Sequence, residues 1–387
     1  MKRWNDLMES VTIFKEGADA IKEAGGETFK LCFQCGLCAA TCPWNTVRDF
    51  IIPRMLRQAQ LGLADFESEE WWLCTTCEAC VRRCPRGVEI ADIMKSVRKI
   101  VAEWGTTPAS LRSVAASLGS VGNPWQEARE KRADWAKGLN LKDFTQGTEF
   151  LYFPCCTPAY DSMVSSVARA TASVLQQTGT DFGILGTKEN CCGESIRKAG
   201  NESLFQRLAR SNIVTFVENG VRKIIVTSPH CYETFKNEYP ELGGNFEIIH
   251  STQYLARLLE EGKLKFTKEL KKRVVYHDPC YLGRHNNIYD EPREVLRSIP
   301  GLELMDEIDS HENSLCCGGG GGRIFMETKK GERFSDTLVE QAIEQGADIL
   351  ATACPYCILN FKDSVLTMDK SDVIEIMDIS ELVQMVI

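Results

Sequence analysis

Cys32-Phe33-Gln34-Cys35-Gly36-Leu37-Cys38-Ala39-Ala40-Thr41-Cys42-Pro43 and Cys74-Thr75-Thr76-Cys77-Glu78-Ala79-Cys80-Val81-Arg82-Arg83-Cys84-Pro85 repeat one pattern, Cys-x2-Cys-x2-Cys-x3-Cys-Pro. Three cysteines at this spacing wrap one iron–sulfur cluster, and the fourth, ahead of proline, points elsewhere. The pattern predicts a helical domain over residues 1–105 whose loops are set by cysteines. Around the loops, Ile51, Ile52, Met55 and Leu56, then Ile90, Ile93, Met94 and Val97, recur at helical spacing. Between Cys42 and Cys74 stand 31 residues, which predicts an inserted helix over about Val47 to Gln60.

The other ten cysteines form a duplicated pattern. Cys156 pairs with Cys280 at an offset of 124 residues, Cys191 and Cys192 with Cys316 and Cys317 at 125, and Cys231 with Cys357 at 126. Tyr152 and Tyr276 each stand four before the paired cysteine, and Gly193 and Gly318 each follow a Cys-Cys. A drift of one residue per interval is what single-residue loop insertions produce. Over the same span, apolar runs at 150–153, 223–227, 246–249, 273–276 and 348–351 read as strands. They alternate with helical patterns at 162–177, 203–218, 254–260 and 336–344. Such alternation implies parallel sheets with both faces covered. The expected fold is α+β: the helical N-terminal domain, a connecting segment 106–148 with a Gly122-Asn123-Pro124 turn, and two α/β lobes, 149–262 and 263–387. A pseudo-two-fold axis should relate the lobes.

Composition narrows the function. The chain has 387 residues, eighteen of them cysteine, with 43% hydrophobic content and a formal charge of −9. That length suits two or three domains. An acidic chain with scattered Lys and Arg lacks the clustered basic surface that nucleic acid requires. Met1 to Ser10 carry no apolar signal segment, and no window approaches eighteen apolar residues, so no membrane span is expected. Metal-ligand spacing, with a cysteine content below that of disulfide scaffolds, points to a reducing, cytoplasmic compartment.

In two-cluster ferredoxins the fourth cysteine of each run ligates the other cluster. That rule assigns Cys32, Cys35, Cys38 and Cys84 to one cubane, and Cys74, Cys77, Cys80 and Cys42 to a second. Zinc would instead use four ligands in two pairs. Trp71 and Trp72 beside Cys74 are expected to shield the clusters.

In the second lobe, Cys280, Cys316-Cys317-Gly318 and Cys354-Pro-Tyr-Cys357 gather five thiolates from three loops, more than one cubane or one zinc can use. This arrangement resembles the cysteine-rich CCG domain of heterodisulfide reductases. The whole chain resembles their D-type subunit, over about 340 residues. The resemblance implies a noncubane [4Fe-4S] centre in each lobe, electrons arriving singly through the two cubanes, and cleavage of a disulfide between the two centres. It makes Cys280, Cys316, Cys317, Cys354 and Cys357 the catalytic candidates. It also implies a hetero-oligomer with other redox subunits, such as a flavin-containing A-type subunit. A disulfide or thiol is the implied substrate. An alternative reading is an electron-transfer subunit without its own substrate, inside an electron-bifurcating or aromatic acyl-CoA-reducing complex. A weaker one is a subunit of a lactate- or glycerol-3-phosphate-oxidising complex. The chain lacks a Gly-x-Gly-x-x-Gly fingerprint after a strand, so no flavin or nicotinamide is expected in it.

The first lobe departs from the motif. Its last pair reads Ser228-Pro-His-Cys231, with Ser228 where cysteine is expected, while Cys155 precedes Cys156 where relatives usually have glycine. Cys155, Cys156, Cys191, Cys192 and Cys231 still number five. Cys155 could replace the missing thiolate, Ser228 or His230 could ligate, or the lobe could hold a smaller cluster or none. The run Gly318 to Gly322 lacks the Lys-Ser/Thr ending of a phosphate loop; here the glycines should let backbone approach a cluster or give a substrate room. His285, with His230 and His277, lies near cluster cysteines and is a candidate proton donor to a leaving thiolate. Arg284 is a candidate partner for an anionic substrate or for cluster charge. His250 and His311 read as structural or surface residues.

Overall fold

The computed structural model describes residues 13–387; the N-terminal reading of Met1 to Ser10 falls outside them. Eight short strands form two four-stranded parallel sheets. The first contains β1 (Phe150–Phe153), β2 (Phe182–Gly183), β3 (Lys223–Val226) and β4 (Glu247–His250) in the order β2-β1-β3-β4. The second contains β5 (Arg273–Tyr276), β6 (Glu303–Asp306), β7 (Ile349–Thr352) and β8 (Glu375–Asp378) in the order β6-β5-β7-β8. The identical order is the duplication seen in the cysteine offsets. Central strands such as Phe150-Leu-Tyr-Phe153 and Ile349-Leu-Ala-Thr352 are buried at every residue, as parallel strands between helical layers must be.

Three strands escape the sequence pattern. β2 is only two residues long, and β6 and β8 are edge strands in which charged Glu303, Asp306, Glu375 and Asp378 interrupt the apolar run. The connecting segment is also more ordered than its polarity suggests. It contains the helix Ala109–Val121 and the turn Arg129–Ala136, and Asp143 bridges to Ile184 at the edge of the first sheet.

The last helix of each lobe reaches across to the other. Ser251–Glu260, which follows β4, packs on Asp290–Ser298 of the second lobe, and Ile379–Val386, which follows β8, packs on Ser165–Gln177 of the first. This reciprocal exchange is the pseudo-two-fold relation in physical form. Both helices are started by the residue that ends the preceding strand. His250 Nδ1 accepts from the Thr252 N–H, and the Asp378 carboxylate accepts from the Ser380 N–H at 2.8 Å.

The inserted helix of the N-terminal domain is Ile52–Leu61, shorter at its start than the pattern suggests because Pro43–Thr46 forms a separate turn. The long helix Ile90–Glu103 buries Ile90, Ile93, Met94, Val97, Ile100 and Val101 on one face. Trp71 and Trp72 are buried beside the second cysteine loop, as expected of shielding residues. Among the described residues no helix is long and apolar enough to cross a membrane.

Candidate iron–sulfur centres

The two N-terminal loops have the same backbone course. Gln34 and Gly36 in the first loop, and Thr76 and Glu78 in the second, have positive φ, so each Cys-x2-Cys segment turns through one left-handed residue and each loop through two. Non-glycine residues adopt this conformation at a cost, typically where function requires it. The turn points the Thr76 N–H at Cys74 Sγ, 3.4 Å away, and the Val88 N–H donates to Cys84 Sγ at 3.3 Å. N–H donors to cluster thiolates are one of the means by which proteins set cluster potentials.

Cys32, Cys35, Cys38 and Cys84 line one small cavity. Cys42 lies instead near Cys74 and Cys77, and Cys80 lies near Cys74, Cys77 and Cys42. The thiols are free; Cys38 and Cys77 are buried, Cys35 is exposed and the other five are half-buried, and desolvation pushes Cys38 up to about 11 and raises Cys42 and Cys80 further still. Burial alone favours the neutral thiol; iron, when bound, would take these sulfurs as thiolates. The first loop is the outer one. Cys35 is exposed, flanked by Phe33 at 59% and Leu37 at 46% exposure, whereas the second loop is buried against the second lobe.

The contact with the second lobe is intimate. Cys316 Sγ lies 3.6 Å from Thr75 Oγ1, and the Cys77 thiol lies against Cys316. The glycine run makes this approach possible. A Cβ on Gly320 would stand 2.3 Å from Thr75 O, and one on Gly321 2.5 Å from Cys74 O, so no other residue fits. The glycines thus let backbone approach the second cubane loop.

Two buried arginines tie this junction together. Arg98, fully buried, donates to carbonyls of Trp71, Cys74, Lys198 and Gly321, joining the N-terminal domain to both lobes. Arg284 donates to carbonyls of Cys77, Glu312 and Ser314, and its Nη2 has no partner among the described residues. Neither arginine has a carboxylate of the described residues within ion-pair distance. The thiols of Cys77, Cys280 and Cys316 surround Arg284 and hold its pKa above the usual range against the effect of burial. A buried cation without a counter-ion is strongly unfavourable; negatively charged cluster ligands supply one. The lone sequence signal for Arg284 is its place beside Cys280, and Arg98 gives none, being one helix residue among many.

In both lobes the cysteines gather beyond the carboxyl ends of the strands, from the two central strands and, for the Cys-Cys pairs, from the loop after the adjoining edge strand; this is where the strand order reverses and ligands gather in open α/β sheets. In the second lobe, Cys357 and Cys317 Sγ are 3.1 Å apart, Cys280 lies against Cys316, and the Gly318 N–H donates to Cys316 Sγ at 3.3 Å. His277 joins the group: one of its ring nitrogens and the sulfurs of Cys317 and Cys357 lie within 4.8 Å of one another. Its Nδ1 is 2.7 Å from Glu307 Oε1 and its Nε2 has no hydrogen-bond partner among the described residues. Burial would lower the His277 pKa, but Glu307 and Cys317 outweigh it and raise it to about 10. In the first lobe, Cys192 and Cys231 Sγ are 3.5 Å apart and Cys156 lies against Cys191. Phe153 replaces His277 there, and Arg132 Nη1 reaches Cys156 Sγ at 3.3 Å while pairing with Glu189.

Residues 150–236 and 274–362 match the cysteine-rich CCG domain, and residues 28–88 match the 4Fe-4S dicluster domain. The EtfAB:quinone oxidoreductase of Syntrophomonas wolfei is 37% identical over 330 residues, covering 81% of this chain and 46% of that one. The probable iron-sulfur-binding oxidoreductase FadF of Bacillus subtilis is 37% identical over 324 residues, with the same coverage. The D-type subunit of the dihydromethanophenazine:CoB–CoM heterodisulfide reductase of Methanosarcina barkeri is 34% identical over 318 residues, covering 80% of this chain and 76% of that one. The chain belongs to the family of heterodisulfide reductase D-type subunits. It spans about half the length of the first two relatives.

Side chains from both lobes of this heterodisulfide reductase D-type chain meet between the two cysteine groups. His230 stacks on Tyr281 at 4.0 Å and on Tyr356 at 4.6 Å, and Tyr281 stacks on His285 at 4.0 Å. His230 of the first lobe reaches the Cys354 thiol of the second, and Tyr356 of the second reaches Ser195 of the first, OH to Oγ 3.0 Å. His285 Nε2 is 2.9 Å from Thr76 O, and the residue lines an open cavity with Glu78, Lys198 and Glu233. His250 is structural, bonded to Thr252 and Thr227. His311, with Ser310 at 3.0 Å, stays away from the sulfurs.

Proposed function

We propose that this chain is the electron-carrying core of an iron–sulfur oxidoreductase. Cys32, Cys35, Cys38 and Cys84 would hold an outer cubane, Cys74, Cys77, Cys80 and Cys42 an inner one, and Cys280, Cys316, Cys317, Cys354 and Cys357 a noncubane-type centre; in that order the clusters would supply a path for single electrons. The observation that carries the proposal is the packing of Cys77 against Cys316, which brings ligands of the second cubane and the second lobe into contact. The exposed Phe33 and Leu37, with exposed Arg82, Arg83 and Arg86 on the neighbouring loop, suit an acidic redox partner at the outer cubane, such as a flavin-containing subunit. The units of work are residues 1–105, 106–148, 149–262 and 263–387, in a cytoplasmic complex. Iron–sulfur clusters supply the one-electron chemistry. The chain's own residues place them, balance their charge through Arg98 and Arg284, and exclude water from the junction.

Two acceptors are consistent with this path. A disulfide reduced at the second lobe would take two electrons and two protons and release two thiols, with Cys317 lining one open cavity and His285 another. An electron-transfer subunit with no substrate of its own is favoured by the packed His230, Tyr281 and Tyr356 between the lobes, which occupy the place a disulfide would need. Anaerobic EPR of the reduced protein, with and without a small mixed disulfide, separates them. A new paramagnetic signal and reoxidation of the cubanes support disulfide reduction. Neither change, with the cubanes still reoxidised by a partner protein, supports the electron-transfer subunit.

A further inference from the structure

Cys354 in the second lobe caps the helix Pro355–Thr367, and its thiol lies against Cys357. Its repeat partner Ser228 is 1% exposed, and its Oγ has no hydrogen-bond partner among the described residues. Buried hydroxyls usually find a partner, and this one has only the Cys155 thiol beside it, so the first lobe keeps a poorly satisfied oxygen where its copy has a ligand. A second unfavourable feature stands next to it. Cys155 has φ 77 and ψ 159, a conformation open to glycine and costly for any other residue.

That strained backbone carries the Cys155 thiol to Cys231 and Ser228. Cys231 is the repeat partner of Cys357, so Cys155 stands to Cys231 as Cys354 stands to Cys357. The remaining contacts of the two lobes correspond: Cys192 with Cys231 as Cys317 with Cys357, and Cys156 with Cys191 as Cys280 with Cys316. His230 is otherwise engaged. Its Nδ1 faces Glu194 at 3.2 Å, its ring is stacked between two tyrosines, and it reaches the other lobe's Cys354. The Ser228 hydroxyl is a hard oxygen donor, poorly matched to the soft-ligand preference of iron–sulfur clusters.

We infer that Cys155 is the fifth thiolate of an iron–sulfur centre in the first lobe, supplying from the β1 loop the ligand that Ser228 does not supply from the β3 loop. Five buried thiolates exceed the four ligands of a structural zinc. This rests on the proposed function only in that the second lobe, whose sulfur contacts it matches, is read as a cluster site.

The test uses the full chain, purified or reconstituted without oxygen, with iron and sulfide analysis and EPR. A Cys317→Ala variant assigns the second lobe's signal. Cys155→Gly is the decisive variant, because glycine accepts the backbone conformation of residue 155 and relieves its strain, so lost iron cannot be charged to misfolding. The expected loss is about four iron atoms per chain, with the signals of the cubanes and the second lobe intact. Cys155→Gly combined with Ser228→Cys should regain the iron, and Ser228→Ala should change nothing. Full iron and an unchanged spectrum in Cys155→Gly, or lost iron in Ser228→Ala, would overturn the inference. A wild-type chain with iron in the second lobe but not the first overturns it alone. Iron confined to the N-terminal loops overturns the proposed function as well.

Discussion

The two lobes share a sheet order and a cysteine frame, but they surround their sulfurs with different chemistry. The second lobe places a histidine–glutamate pair, His277 and Glu307, beside Cys317 and presses Cys316 onto the second cubane loop. The first lobe has Phe153 in place of His277, an arginine already neutralised by Glu189, and a relocated cysteine. Contact with the cubane loop separates them most. The scaffold is the same in both, while only the copy touching the second cubane loop carries the glycine run that permits such contact.

The largest effect that would sharpen this contrast comes from removing a ligand in each lobe. Cys317→Ala should reduce electron delivery from the reduced cubanes to an added acceptor to background while both cubane EPR signals persist. Cys192→Ala should leave reoxidation of the cubanes by the second lobe intact in stopped-flow absorbance. Equal loss in both variants would break the contrast.

Next in size is an exchange of the differing residue, His277→Phe. Leaving Glu307 buried without its partner should cost about 3 kcal/mol in denaturant unfolding, and adding Glu307→Gln should recover most of it. No destabilisation would mean that the pair is not an interacting unit.

Arg284 gives a smaller, more selective effect. Arg284→Gln should lower the midpoint potentials of the second cubane and of the second lobe's centre by about 59 mV, a tenfold change for one electron, without moving the first lobe's centre. Arg98→Gln should move the second cubane alone.

The smallest effect concerns the helix caps, whose repeat-related residues titrate in opposite senses. Burial pushes His250 down to about 3 from 6.5, so the unfolded chain binds the proton first, and this contribution is lost as pH falls from 6.5 towards 3. Burial pushes Asp378 up to about 7 from 3.8, so its contribution is present at low pH and lost as pH rises through that interval. Thermal unfolding against pH should show wild type losing ground to His250→Asn on acidification, and to Asp378→Asn on approach to pH 7. Parallel curves would contradict both assignments.

Much of this is readable in the sequence because cysteine spacing and repeat offsets are local facts. The cubane runs, the two lobes, the central strands and the family resemblance all follow from them. What escapes depends on contacts between distant segments. Edge strands β6 and β8 are stabilised by pairing rather than by pattern, and Arg98 and the Thr75 contact become meaningful only when residues 74–75 meet residues 320–321. The five glycines stand out in the sequence, but what they approach is visible only in three dimensions. Cys155 is legible as an extra cysteine, while the positive φ that marks it is not.

The central claim is that the second cubane communicates with the second lobe through Cys77 and Cys316. Pulsed EPR of the reduced protein tests it most directly, by measuring relaxation enhancement of the second cubane's signal. The account predicts that the enhancement disappears in Cys317→Ala and survives in Cys192→Ala. Enhancement that survives in Cys317→Ala and disappears in Cys192→Ala would contradict it.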